Sequence, residues 1–215
     1  MKNLFPGLRK FSETVYPNHQ PLFESLSQGQ TPHTLMITCS DSRIDPNMVT
    51  QTAPGELFVV RNAGNIVPPF GSSQGGEEAA IEFAIEGLKV SNIVVCGHSK
   101  CGAMAALGEK VDLTQLPSVK SWLNHASATR RRIRDRQHEC SVNEVVEENV
   151  LVQIDNLKTH PSVSAALRSG RIHIYAWVYH FEHGTVSVYD PKNKKYVPSI
   201  EVKDHHENDP GRYSL

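Results

Sequence analysis

Apolar residues along this chain recur in two rhythms. TLMIT at 34–38, the apolar part of GELFVVRN at 55–62 and SNIVVCG at 91–97 are short unbroken runs, the pattern of strands buried on both faces. Elsewhere the spacing changes to that of a helix. Ile81, Ala84, Ile85 and Leu88 turn one face of EEAAIEFAIEGL inward, and Glu77 and Glu78 sit at its positive N-terminal end. KCGAMAAL at 100–107 opens a second helix, 117–136 reads as a third, and 141–158 carries an apolar stripe through Val142, Val145, Val146, Leu151, Ile154 and Leu157. RIHIYAWVYH at 171–180 alternates with period two, and a turn near Gly184 sends TVSVYD back antiparallel. This order predicts an α/β fold: a mainly parallel central sheet flanked by helices, with an antiparallel C-terminal edge strand.

Ahead of the first strand, Leu4, Leu8, Phe11 and Val15 and then Leu22, Phe23 and Leu26 are separated by prolines at 17 and 21. They predict two short helices forming an N-terminal arm over 1–28. An α/β domain over 29–200 follows, then a tail over 201–215. A length of 215 residues suits one such domain.

Charge narrows the partners. Lys plus Arg (22) nearly equal Asp plus Glu (23), so no broad positive field points to nucleic acid or an anionic membrane. A small-molecule substrate is the expectation. No stretch approaches the roughly 20 apolar residues of a membrane span, and MKNLFPGLRKFSETV lacks the apolar core of a secretory signal. A cytoplasmic protein starting near Met1 is expected. Four cysteines (39, 96, 101 and 140) are too sparse for a disulfide scaffold and favour metal binding or chemistry. Cys96 belongs to an apolar run and reads as core, and Cys140 as an incidental thiol. The basic run TRRRIRDR at 129–136 reads as a solvated helix face. His180, His183 and the DHHEND segment at 204–209 read as exposed strand-end and tail residues.

Two stretches carry chemistry. In ITCSDSRID, residues 37–45, Cys39, Asp41 and Arg43 alternate with serines, and an extended segment would point all three to one side. In CGHSKCG, residues 96–102, His98 lies just past a strand and Cys101 near the first turn of the next helix. Both stretches finish at the C-terminal ends of strands, where functional groups of parallel sheets gather. Two cysteines and a histidine match the ligand count of a catalytic zinc ion, which keeps a fourth position for water or substrate. Asp41 either fills that position or accepts a hydrogen bond from a zinc-bound hydroxide while Arg43, with its two-pronged fork, restrains it. Two thiolates cancel the charge of Zn²⁺, so bound water is acidified less than at an all-imidazole site, where its pKa is roughly 7. Activity should then rise toward alkaline pH.

CSDSR followed after a long gap by GHSKCG resembles the β-class carbonic anhydrases. The likeness runs through GELFVVRNAGNIVPP, GGEEAAIEFAIEGLKV and AWVYHFEHG, and is strongest to the bacterial and cyanobacterial branch. It implies that Cys39, His98 and Cys101 bind Zn²⁺, that Asp41 and Arg43 are the catalytic pair, and that zinc hydroxide attacks CO₂ to give bicarbonate. It also implies substrate-pocket roles for Gln30, Phe58 and Phe83. Members are dimers or higher homo-oligomers whose pocket residues cross the interface and whose N-terminal arm wraps the neighbour. Some carry an inhibitory bicarbonate site built on a tryptophan; Met36 stands there in this chain, so the same control is not expected although Arg61 matches an arginine of that site. Two rival readings share the metal: a hydrolase of carbonyl sulfide or carbon disulfide, and a non-catalytic zinc-stabilised protein whose shell Asp41 closes.

Overall fold

Every residue of TLMITC is buried, as expected for a strand with neighbours on both edges and cover on both faces. In the computed structural model, which describes residues 4–72, 75–108 and 111–201, this strand is β1 (Thr34–Cys39). It pairs in parallel with β2 (Leu57–Asn62) on one edge and β3 (Asn92–His98) on the other. The sheet continues through β4 (His173–His180), parallel to β3, then β5 (Thr185–Asp190) and β6 (Lys195–Pro198), both antiparallel, in the order β2-β1-β3-β4-β5-β6. The mainly parallel α/β fold and the antiparallel C-terminal return follow the sequence pattern. The outermost strand, however, is β6, a four-residue segment whose Lys195 and Pro198 suit an exposed edge.

Side-chain alternation divides the sheet into two faces. Leu35, Ile37, Cys39, Ile93 and Val95 join the main core, whereas Met36, Val94 and Cys96 form a smaller buried cluster with Leu57, Tyr175 and Trp177. In chain order the helices are α1 (Leu4–Lys10), α2 (Tyr16–Leu26), α3 (Pro46–Thr50), α4 (Gly76–Glu82), α5 (Gly102–Leu107), α6 (Pro117–Trp122), α7 (Ser127–Arg134), α8 (Val142–Leu157) and α9 (Pro161–Arg168). Ile81, Ala84 and Ile85 are buried as their spacing predicts, although the helix widens to a π turn over Phe83–Gly87. The single helix expected over 117–136 is instead broken by a 3-10 turn, Leu123–Ala126. Residues three apart eclipse in that tighter turn, which lets Leu123 and Ala126 bury together.

Helix α8 connects this core to the loop that follows β2. Its N-terminus is a capping box, with the Ser141 hydroxyl accepting from Glu144 N and the Glu144 side chain accepting from Ser141 N. Two buried polar residues further along reach across: Asn149 Nδ2 donates to Gly64 O at 3.0 Å, and Val67 N donates to Gln153 Oε1 at 2.9 Å. From the other side Trp122 Nε1 donates to Ala63 O at 2.8 Å. The helix lies so close to β3 that a Cβ on Gly97 would stand 2.7 Å from Val146 Cγ1 and 2.9 Å from Val150 Cγ2.

Among the described residues, those up to Thr31 form a compact unit of their own, and those from Pro32 onward a second. Within the first, the helical path runs from Leu4 to Leu26, with a π turn over Phe11–Val15, rather than as two helices split at the prolines. A proline ring clashes with the carbonyl four residues back, and for Pro17 that residue, Glu13, lies inside the widened turn. Leu4, Phe5 and Leu8 are exposed, while Phe11, Tyr16 and Phe23 pack ring against ring. The tail segment DHHEND lies outside the described residues.

Candidate metal centre

Parallel register brings the chemistry together. Cys39 is the last residue of β1 and aligns with Asn62, while His98 ends β3 and aligns with Tyr179. Cys101 takes the N-cap position of α5, three residues on, with Lys100 in the left-handed region at φ 53°. Cys39, His98 and Cys101 are all buried, and their ligand atoms lie within 4.8 Å of one another. The two sulfurs are 3.9 Å apart. Sulfurs each about 2.3 Å from a tetrahedral ion would be about 3.8 Å apart.

The imidazole is set for ligation. His98 Nδ1 lies 2.9 Å from Ser99 O, a contact that requires the proton on Nδ1 and leaves the Nε2 lone pair free. That Nε2 is buried without a hydrogen-bond partner, a costly arrangement unless something else engages it. Gly64 N donates to Cys39 Sγ at 3.4 Å. The pKa of the Cys39 thiol is pulled down, first by its contact with Cys101, against the opposing effect of burial, with Gly64 N adding to the lowering. Cys101 moves upward, because its proton bridges to Cys39 and because it is buried. A divalent cation would bind both as thiolates. These donors fit Zn²⁺ in type and spacing.

Beside them the chain turns. β1 ends at Cys39, so Asp41 and Arg43 do not converge through strand alternation as their spacing suggested. Arg43 N donates to Asp41 Oδ1 at 2.9 Å, forming a local turn, and the guanidinium closes on both oxygens, Nε on Oδ1 at 2.9 Å and Nη2 on Oδ2 at 2.7 Å. This fork holds Asp41 well below the usual carboxylate range. Asp41 Oδ2 is 3.7 Å from His98 Nε2. Arg43 is itself fixed, donating to Lys100 O at 3.1 Å and lying over the Phe181 ring at 4.5 Å.

Several positioning residues were not assigned from the sequence. Arg61 donates to Cys39 O, Asp41 O and Ile44 O at 2.8–3.0 Å, bracing the whole turn. Phe181 supports Arg43, and Glu182 accepts from the Ser99 hydroxyl beside His98. The adjacency of β3 and β4 produces both contacts, so only the AWVYHFEHG likeness pointed there. Of the pocket residues, Phe58 and Phe83 pack on each other with centroids 5.9 Å apart. Phe58 aligns with Leu35, four positions before the Asn62–Cys39 pair, which is about 13 Å along the strand. Gln30 is exposed and belongs to the first unit. Cys96 is core, its thiol pushed up to about 12 by burial.

The sheet and the buried Cys-His-Cys set at its strand ends together define an α/β protein with a metal-ligand cluster. The carbonic anhydrase family profile matches residues 34–186. A carbonic anhydrase of Synechococcus elongatus is 51% identical over 191 residues, covering 86% of this chain and 70% of that protein. The structure of the β-carbonic anhydrase CcaA superposes with a TM-score of 0.88 at 45% identity, covering 92% of this chain and 98% of that one. Structures described as two tetrameric β-carbonic anhydrases of Sordaria macrospora match at a TM-score of 0.70 and 28% identity, covering 87% and 92%. The chain belongs to the β-class carbonic anhydrase family, the carbonate dehydratases, on its bacterial and cyanobacterial side.

Proposed function

We propose that Cys39, His98 and Cys101 hold one Zn²⁺ and that the site interconverts CO₂ and bicarbonate with Asp41 and Arg43 as its catalytic pair. The observation that carries this reading is the buried, unpartnered His98 Nε2 facing two sulfurs 3.9 Å apart. When bound, the metal would supply Lewis acidity that makes a water molecule nucleophilic, increasingly so toward alkaline pH because two thiolates offset its charge. Arg43 occupies both oxygens of Asp41, which favours an open fourth position over a shell closed by that carboxylate. Asp41 keeps spare lone pairs on Oδ2 to accept a proton-bearing group and orient it toward the substrate. Arg61 and Phe181 keep the pair in place.

Phe58, Phe83 and Gln30 supply the apolar wall and an amide donor, suited to a substrate without net charge. Phe58 stands about 13 Å along the sheet from Cys39 in its own chain, so these three serve the site of a second copy in a homodimer or higher assembly. The exposed Leu4, Phe5 and Leu8 of the arm over residues 1–28 suit the same assembly, as does the tetrameric description of the Sordaria macrospora enzymes. The balance of charge fits a small-molecule substrate rather than nucleic acid. No helix among the described residues is long and apolar enough to cross a membrane, and a cytoplasmic site of action is part of the proposal. Residues 29–200 would be the catalytic domain and 201–215 a tail.

Stopped-flow CO₂ hydration on metal-quantified protein tests this reading. One zinc per chain with hydration abolished in Cys39→Ser is expected. Protein without stoichiometric metal, or turnover of CS₂ without CO₂ hydration, would overturn it.

A further inference from the structure

The corner between α7 and α8 holds a second group of donors. His138 Nε2, the Cys140 sulfur and a Glu144 carboxylate oxygen lie within 4.8 Å of one another. We propose that these three residues form a separate metal site for a divalent cation of the zinc type. Thiolate, imidazole and carboxylate are the three side-chain donors that zinc accepts.

The local structure holds the three donors in place. Cys140 and Ser141 run directly into α8, and the capping box fixes Glu144 through one oxygen. Glu144 Oε2 accepts from Ser141 N and Ser141 Oγ, both at 2.8 Å. The other oxygen, Oε1, is left facing His138 Nε2 at 2.8 Å. A cation can replace the proton shared in that contact without disturbing the cap, since His138 can carry its proton on Nδ1. Among the described residues the Cys140 thiol makes a long contact, 3.9 Å to Ile133 O, so little is lost there when its proton leaves to buffer and the sulfur binds as thiolate. Cys140 is buried whereas His138 is exposed, so the site is accessible from one side. His138 and Cys140 also line a cavity of about 230 Å³, enough for water to complete a tetrahedral shell.

Three features oppose a cation here: the positive end of α8, Arg136, whose Nη1 is 3.6 Å from Glu144 Oε1, and Arg130 and Arg134, which line the same cavity. The thiolate and carboxylate together neutralise a dication. Arg136 has a closer partner in Glu148, at 2.6 Å, and can release Glu144. Occupation would tie Glu144, in the first turn of α8, to the preceding loop. The same helix carries Asn149 and Gln153, which hold the loop after β2.

The test titrates Co²⁺ into the full zinc-loaded chain while counting both metals and recording thiolate-to-cobalt charge-transfer absorption. Wild type should take up one cobalt per chain without losing zinc and show the thiolate band. Its melting midpoint should rise by about 5 °C or more at a hundredfold excess over Kd. Cys140→Ser should lose the band and weaken this uptake at least tenfold, and His138→Gln, a change at an exposed position, should weaken it similarly. No uptake up to millimolar cobalt would overturn the proposal. So would uptake equal in wild type and both variants, which would place the metal elsewhere, or cobalt gained only as zinc is lost.

Discussion

Arg43 closes a fork on Asp41, Nε to Oδ1 at 2.9 Å and Nη2 to Oδ2 at 2.7 Å, within a turn that the Arg43 amide itself helps to form. A lysine cannot make both bonds. Charge-assisted hydrogen bonds contribute about 1.5–3 kcal/mol, so Arg43→Lys and Asp41→Asn should each lower kcat/KM for CO₂ hydration by about 10- to 150-fold. Zinc content and the circular dichroism spectrum should stay at wild-type values. Unchanged kcat/KM in Asp41→Asn would remove the pair from the mechanism.

Arg61 spends its guanidinium on three backbone carbonyls around the metal-side turn. Removing it in Arg61→Met leaves those carbonyls to water and frees the Cys39–Ile44 segment. Supporting partners of ligands typically account for 10- to 100-fold in metal affinity. Zinc retention against a chelator should fall by about tenfold or more, with Arg61→Lys restoring part of it. Retention equal to wild type would show that the turn holds itself.

Gly97 is kept by crowding rather than by its backbone angles. A methyl group there would meet Val146 and Val150 at 2.7 and 2.9 Å, and overpacking of this kind costs about 1–3 kcal/mol. Denaturant unfolding of Gly97→Ala should show that loss, and adding Val146→Ala should recover part of it. Additive losses in the double variant would point to another cause.

His180 gives the fold a pH dependence apart from the metal ligands. Burial lowers its proton affinity below the ordinary imidazole value, with Glu182 raising it and His183 lowering it further. The unfolded chain then binds more protons between the folded pKa and about 6.5. Stability from this residue is complete above that window and lost as pH falls through the folded value. Chemical denaturation from pH 7.5 to 5.5 should show a decline in stability that His180→Gln abolishes. Persistence of the full decline in the variant would assign it to other groups.

What could be read from the chain before folding depended on how locally each feature is encoded. β1, β3 and the inner face of α4 follow from short apolar runs and helical spacing, because burial leaves its period in the sequence itself. The brief elements β6, α3 and α9 carry too few periods to be distinguished from loops. Asp41 and Arg43 were legible as a pair, yet a turn beyond the end of β1 brings them together. Asn149 and Gln153 carry no signal in the apolar spacing of α8 and prove to be buried props of the loop after β2. The basic run at 129–136 pairs in part with α8, through Arg132 and Arg136 on Glu148 and neighbouring acids.

The sequence by itself determined the alternation of strands and helices and the types of donor, cysteine, histidine and carboxylate, that stand at strand ends. Only the tertiary structure decided which donors meet. Cys39 and Cys101 are 62 positions apart and converge because parallel pairing of β1 with β3 aligns their C-terminal ends. Cys140, unremarkable in the sequence, acquires His138 and Glu144 as neighbours because the α7–α8 corner folds them into reach. Periodicity records which way a side chain faces, whereas register and helix packing, set by contacts far apart in the chain, choose what it faces.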